Sequence, residues 1–182
     1  MSSDVDLIYH STILIVEDEE YLVELLEEIL GEEFEKVLVA KNGDEAIDWI
    51  AKENIHVALI DIRLPGQKTG LDVLRNIQTL NKATAGVILT GNAERECLKQ
   101  ALLYGAYDFL EKPSPIETII TRVKRACGYN KQERHKVELF QLLLCEVCQI
   151  GLEDYYKLET SRQFELVQKI KNLIALKLVG RE

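Results

Sequence analysis

His56-Val57-Ala58-Leu59-Ile60-Asp61-Ile62-Arg63-Leu64-Pro65-Gly66 decides the reading of this chain. A short apolar run reads as a buried strand, the Pro-Gly pair reads as a loop, and Asp61 stands at the junction. Open α/β sheets place their chemistry at the carboxyl ends of strands. Outward from Asp61, other apolar runs end in the same manner. Ile13-Leu14-Ile15-Val16 is followed by Glu17 and Asp18, and Val87-Ile88-Leu89 by Thr90. Phe109-Leu110 leads through Glu111 to Lys112 and Pro113. Three acids, a hydroxyl and a lysine, from four predicted strands, are placed to meet at one edge of one sheet.

Carboxylates brought together repel, and a buried one raises its pKa unless a cation offsets its charge. Mg²⁺ suits such a place, because it takes one or two carboxylates and keeps waters and phosphate oxygens as its other ligands. Lys112 adds a second positive point charge, and Thr90 a neutral hydroxyl. Such a set suits transfer of a phosphoryl group to a carboxylate, where catalysis is mostly positioning and charge neutralisation. An Asp nucleophile forming an aspartyl phosphate is an established covalent route. Taken alone, Asp61 would read as a turn or helix cap; its register with Asp18, Thr90 and Lys112-Pro113 favours chemistry.

The ordered motifs Val16-Glu17-Asp18-Glu19-Glu20, Asp61-Ile62-Arg63-Leu64-Pro65, Leu89-Thr90-Gly91 and Glu111-Lys112-Pro113 resemble those of the receiver domain of two-component response regulators. The resemblance covers roughly residues 11 to 128. It implies a flavodoxin-like sheet of strand order 2-1-3-4-5. It implies that Asp61 accepts the phosphoryl group, and that Mg²⁺ is held by Glu17, Asp18, Asp61 and the backbone carbonyl of Arg63. It makes Thr90 the switch hydroxyl, Lys112 the contact to the phosphoryl oxygen or to unmodified Asp61, and Phe109 the aromatic switch residue. Two departures from the pattern stand out. Gly70 lies five residues after Pro65 rather than four, so Gly66-Gln67-Lys68-Thr69 carries a one-residue insertion. Glu17 stands where Asp is commoner.

The chain has 182 residues, enough for one full domain and an appendage. It is 47% hydrophobic and 29% charged, an ordinary globular balance. A net charge of -9 argues against nucleic-acid binding, which needs a basic face. Met1–His10 holds Asp4 and Asp6 and no apolar core, and no stretch approaches the ~20 apolar residues of a bilayer span. These features predict a cytoplasmic protein without a membrane segment.

Five strand–helix units are predicted, with strands near Thr12–Val16, Lys36–Ala40, His56–Asp61, Gly86–Thr90 and Asp108–Glu111. The first helix shows an apolar stripe at Leu22, Leu25, Leu26, Ile29 and Leu30. Asn42-Gly43 opens the second helix, and the third runs from about Gly70. Asn92 is placed to cap the fourth, which ends at Gly105. Ser114-Pro115-Ile116-Glu117 reads as a capping box for the fifth. The alternation predicts an α/β, doubly wound five-stranded parallel sheet with right-handed crossovers and a C-terminal helical hairpin.

The predicted organisation is a flexible segment over 1–10, a receiver domain over 11–128 and a helical extension over 129–182. Gly128-Tyr129-Asn130 marks the boundary. Beyond it, Glu133–Ile150 carries Val137, Phe140, Leu144 and Val147 at helical steps, and Gly151 ends it. Thr160, with Gln163 three places on, opens a helix carrying Phe164, Val167, Ile170, Ile174 and Leu178. So much apolar surface must pack on something: the receiver, a second copy of the chain, or a partner. Cys145 and Cys148 form a C-x-x-C without a second pair, so they read as small buried hydrophobes rather than zinc ligands. His135 reads as a surface residue of a helix, and the basic residues around Arg122–Lys136 as a solvated face.

These observations predict a response regulator. A histidine kinase or histidine phosphotransfer protein would supply the phosphoryl group, and homodimerisation through the tail would be one output. The expected chemistry is Mg²⁺-dependent self-phosphorylation and slow autodephosphorylation, not turnover of a substrate. Three rivals have specific counter-evidence. A phosphohydrolase would need an acid two residues after Asp61, where Arg63 stands. A DNA-binding regulator with an atypical output domain is opposed by the mixed charge of the tail. A phosphate-independent scaffold is opposed by the complete acid, hydroxyl and lysine set.

Overall fold

The computed structural model describes residues 9–80, 83–91, 95–143, 148–151, 154, 157–159, 161–163 and 165–169. The chain divides into two units, Met1–Lys131 and Gln132–Glu182. In the first, five parallel strands run β1 (Thr12–Val16), β2 (Lys36–Ala40), β3 (Val57–Ile60), β4 (Ala85–Thr90) and β5 (Asp108–Glu111). Helices α1 (Glu20–Glu33), α2 (Gly43–Lys52), α3 (Gly70–Leu80) and α4 (Arg95–Leu103) connect them, and α5 (Ile116–Leu143) follows. The sheet order is β2-β1-β3-β4-β5, as expected.

Buried strands must be apolar on both faces, which is why β1, β3 and β4 read as continuous runs rather than alternations. Ile13, Ile15, Val57, Leu59, Val87 and Leu89 pack against Leu26 and Leu30 of α1 and Ile119, Val123 and Ala126 of α5. Their neighbours Leu14, Val16, Ala58, Ile60 and Ile88 face the other way, onto Ala46 and Ile50 of α2, Val73, Leu74 and Ile77 of α3, and Ala101 of α4. β2 is an edge strand and is more open; the Trp49 indole N–H donates to the Val39 carbonyl at 3.0 Å and covers part of that edge.

Local chemistry fixes the helix ends. Asn42 caps α2 by accepting from the Glu45 amide at 2.9 Å, while its amide group donates to the Glu45 carboxylate at 2.7 Å. Thr69 and Asp72 form a reciprocal capping box at α3: the Thr69 amide donates to the Asp72 carboxylate at 2.9 Å, and the Asp72 amide to the Thr69 hydroxyl at 3.3 Å. α4 closes at Gly105, whose φ of 73° is the left-handed conformation. Gly105 N–H donates to Leu102 O and Ala106 N–H to Ala101 O, a Schellman ending. Asn92, the expected cap of α4, lies outside the described residues.

Two expectations need correction. The Ser114 hydroxyl donates to the Glu111 carbonyl at 2.6 Å rather than capping Glu117, and α5 begins at Ile116. Pro115 supplies its carbonyl to the Thr118 and Ile119 amides instead. The helix also runs through Gly128-Tyr129-Asn130 without a break. A glycine within a helix costs only about 1 kcal/mol relative to alanine, so Gly128 weakens the helix without ending it. Asn130 is fully buried, and the Tyr129 ring lies 4.9 Å from that of Tyr107, so both belong to the first unit. The Cys127 thiol is buried, and its pKa is pushed up to about 11, which makes it an inert packing group.

Of the N-terminal segment, Tyr9 and His10 are described. Tyr9 O accepts from the Glu35 amide at 2.8 Å, and His10 Nδ1 lies 2.7 Å from the Glu35 carboxylate. In the second unit, the described residues 132–143, 161–163 and 165–169 are helical. Cys145 and Thr160, and the side chain of His135, lie outside the described residues. Among the described residues, no helix is long and apolar enough to cross a membrane.

Candidate functional site

The sheet changes winding direction between β1 and β3, and such a switch point opens a crevice beyond the carboxyl ends of the two strands. Glu17 and Asp61 are the residues that leave those strands. Their amides continue the ladder: Glu17 N–H donates to Ala40 O at 3.0 Å, and Asp61 N–H to Val16 O at 2.9 Å. The ladder therefore fixes both carboxylates at one sheet edge. Beside them, Lys112 N–H donates to Thr90 O at 3.0 Å, which carries the pairing of β4 and β5 one residue further. The Lys112–Pro113 peptide is cis.

Lys112 joins the acids. Its Nζ lies 2.5 Å from Glu17 Oε2 and 2.6 Å from Asp61 Oδ2. Glu17 is 3% exposed, Asp61 8% and Thr90 1%. The second oxygen of Asp61 accepts from the Arg63 amide at 3.1 Å, and that of Glu17 from the Glu19 amide at 3.3 Å. Burial pushes the Glu17 carboxyl above the usual carboxylate range; Lys112 draws it down, and the charge of Asp61 adds to the rise. For Lys112 burial alone would favour the neutral amine, but the hydrogen bonds it donates to Asp61 and Glu17 outweigh it and raise its pKa. The lysine is therefore held charged between two acids.

Gly70 closes the site from below. A Cβ there would lie 1.9 Å from the Asp61 carbonyl oxygen, so only glycine lets α3 begin against the end of β3. Its amide donates to Ile62 O at 3.0 Å.

The structure thus gathers Glu17, Asp61, Thr90 and Lys112 at one edge. Asp18 is adjacent but exposed, and among the described residues no three His, Cys, Asp or Glu side chains converge as a metal group. Asp18 follows Glu17 directly in the chain, and Glu17 and Asp61 converge on Lys112. That pair still fits Mg²⁺: two buried carboxylates aimed at one point repel each other, and Mg²⁺ needs only one or two. Phe109 is partly buried against the cluster under α2, α3 and α4. What the sequence did not reveal is the Arg63 amide as a partner of Asp61, and the close approach of Gly70 to Asp61.

The family model for the response regulator receiver domain matches residues 13–124. The chain belongs to that family. The receiver is 34% identical over 133 residues to the response regulator protein PilR of Pseudomonas aeruginosa, an alignment covering 73% of this chain and 30% of PilR. A CheY-like receiver domain protein from Methanospirillum hungatei superposes with a TM-score of 0.65 at 26% identity, covering 68% of this chain and 98% of that one. The receiver domain of the sensor histidine kinase PA1611 from P. aeruginosa, which holds magnesium in its active site cleft, shares the fold. Its TM-score is 0.59 at 24% identity, covering 65% of this chain and 98% of that one. The chain spans half or less of the length of several curated relatives.

Proposed function

We propose that this receiver accepts a phosphoryl group on Asp61 from the phosphohistidine of a kinase or phosphotransfer protein. The observation that carries the reading is the convergence of Glu17 and Asp61 on Lys112, beside buried Thr90, in a chain of the receiver family. An Asp61 carboxylate oxygen forms the new P–O bond, the P–N bond breaks, and the imidazole leaves. Lys112, already charged and within hydrogen-bond reach of Asp61, then neutralises a phosphoryl oxygen. Glu17, Asp18, Asp61 and the Arg63 carbonyl would hold Mg²⁺, which when bound offsets charge on the remaining oxygens. The Thr90 hydroxyl moves toward the modified Asp61, and Phe109 follows as the space behind Thr90 changes. This is a local charge change biasing a two-state element, which alters protein contacts around α4, β5 and α5.

The test is mass spectrometry after incubation with a small acyl phosphate donor and Mg²⁺. Wild type should gain one phosphoryl group and Asp61→Asn none. Persisting single phosphorylation in the variant would sink the assignment.

The output is proposed to run through the tail. The apolar steps in Glu133–Ile150 and Thr160–Leu178 need burial, and two chains could bury them as a four-helix arrangement. Light scattering should show a dimer for the full chain. Removal of residues 132–182, which spares buried Asn130, should leave a phosphorylatable monomer. A monomeric full-length chain at high concentration would refute the dimer.

A further inference from the structure

Gly43 is the first residue of α2, directly after the Asn42 cap. Its φ is not in the left-handed region, and helices favour Ala over Gly by up to about 1 kcal/mol. Backbone conformation gives no reason for glycine there. Space does: a Cβ on Gly43 would lie 2.5 Å from Lys68 Cβ and 2.6 Å from the Lys68 carbonyl oxygen. These are not the mobile end of a side chain. They are the backbone and first carbon of the loop that carries the extra residue between Pro65 and Gly70.

That loop is fixed at its other points too. Asp61 accepts from the Arg63 amide at its start. At its end, Thr69 is locked into the capping box with Asp72, and Gly70 lies against the Asp61 carbonyl. The loop is therefore tied to Asp61 at both ends and rests on α2 in the middle. We propose that Gly43 is a positioning residue: it is the seat that lets the lengthened loop hold Asp61 and Arg63 in place, so that α2 governs phosphoryl acceptance. This rests on the reading of Asp61 given above. Small displacements of reacting groups can cost up to about a hundredfold in rate, so the seat has leverage on the chemistry without touching it.

The decisive variant is Gly43→Ala in the full chain, with Gly31→Ala, where a Cβ meets nothing within 4 Å, as control. Gly43→Ala should shift the amide resonances of Arg63 and Gln67–Thr69, weaken Mg²⁺ binding and slow phosphorylation by the small donor about tenfold. Gly31→Ala should do none of these. Deleting Gln67 shortens the loop and should relieve the clash, so the two changes combined should be less damaging than their separate effects predict. If Gly43→Ala fails to fold, the Gln67 deletion alone must still move the Arg63, Lys68 and Thr69 resonances and the same rate, because it lifts Lys68 from its seat. Wild-type rate, Mg²⁺ affinity and loop resonances in Gly43→Ala, or strictly additive effects in the combined variant, would overturn the proposal. If wild type takes no phosphoryl group, the reading of Asp61 fails, and the loop resonances and Mg²⁺ titration still decide the role of Gly43.

Discussion

The two ends of the sheet differ in kind. At the carboxyl end, two buried acids meet one lysine, and buried Thr90 is tied to that lysine by its backbone. At the amino end lies a cavity of about 600 Å³ lined by Leu74, Ile77, Thr84 and three tyrosines, Tyr104, Tyr107 and Tyr129. Thr84 there is spent on structure, donating to Ile55 O at 2.9 Å. The contrast follows from parallel geometry. Every strand delivers its carboxyl end, and the following helix its amino end, to the same edge, so negative charge is favoured there rather than opposite. The amino end is left to packing. Changes at one end should therefore alter chemistry, and changes at the other only stability.

After the complete loss expected of Asp61→Asn, the largest effect should come from Asp18→Ala. If exposed Asp18 completes the Mg²⁺ site that Glu17 and Asp61 begin, Mg²⁺ affinity and phosphorylation rate should fall together, with the denaturation midpoint nearly unchanged. Unchanged affinity in a Mg²⁺ titration would make the buried pair sufficient and Asp18 a surface acid. A smaller effect, of the opposite kind, is expected at Gly86 in β4. A Cβ there would lie 2.4 Å from Leu74 Cδ1, so Gly86→Ala should overpack the core and destabilise by about 1–3 kcal/mol. Mass gain from the small donor should persist in the folded fraction. Loss of phosphorylation in a folded Gly86→Ala protein would break the division between the two ends.

The same division explains what could be read from sequence. Strand positions were legible within a residue or so, because burial on both faces imposes continuous apolar runs on β1, β3 and β4. The site was legible as a set of strand-end residues, since the parallel ladder brings such positions together. What escaped reading depends on contacts between distant segments. Lys112 meets Glu17 across 95 residues, beside the Asp61 contact that the resemblance implies. Gly70 is required by the Asp61 carbonyl, and Gly43 by Lys68; neither need is local. Gly128 misled for the converse reason: a glycine in a helix is a weak stop, and the packing of Val123, Cys127 and Asn130 on either side of it outweighs the local cost.

The smallest expected effect concerns the cap that anchors the loop after Asp61. The backbone N–H of Thr69, then its hydroxyl, holds the Asp72 carboxyl below its ordinary value of 3.8. The folded protein thus binds this proton less readily than the unfolded chain. The resulting stability is fully present above pH 3.8 and is lost as pH falls through the lower, folded value. Glu17 works with the opposite sign, because its raised pKa makes its burial as a carboxylate unfavourable above 4.5 and acidification relieves that cost. A single stability curve would mix the two. The difference between wild type and Asp72→Ala does not, since Glu17 is common to both. That difference should be flat between about pH 5 and 8 and should shrink below pH 4. Urea midpoints at matched pH measure it. A difference that stays constant into acid would mean that the Asp72 carboxylate does not carry the cap, and that the loop is held by its seats on Gly43 and Gly70 alone.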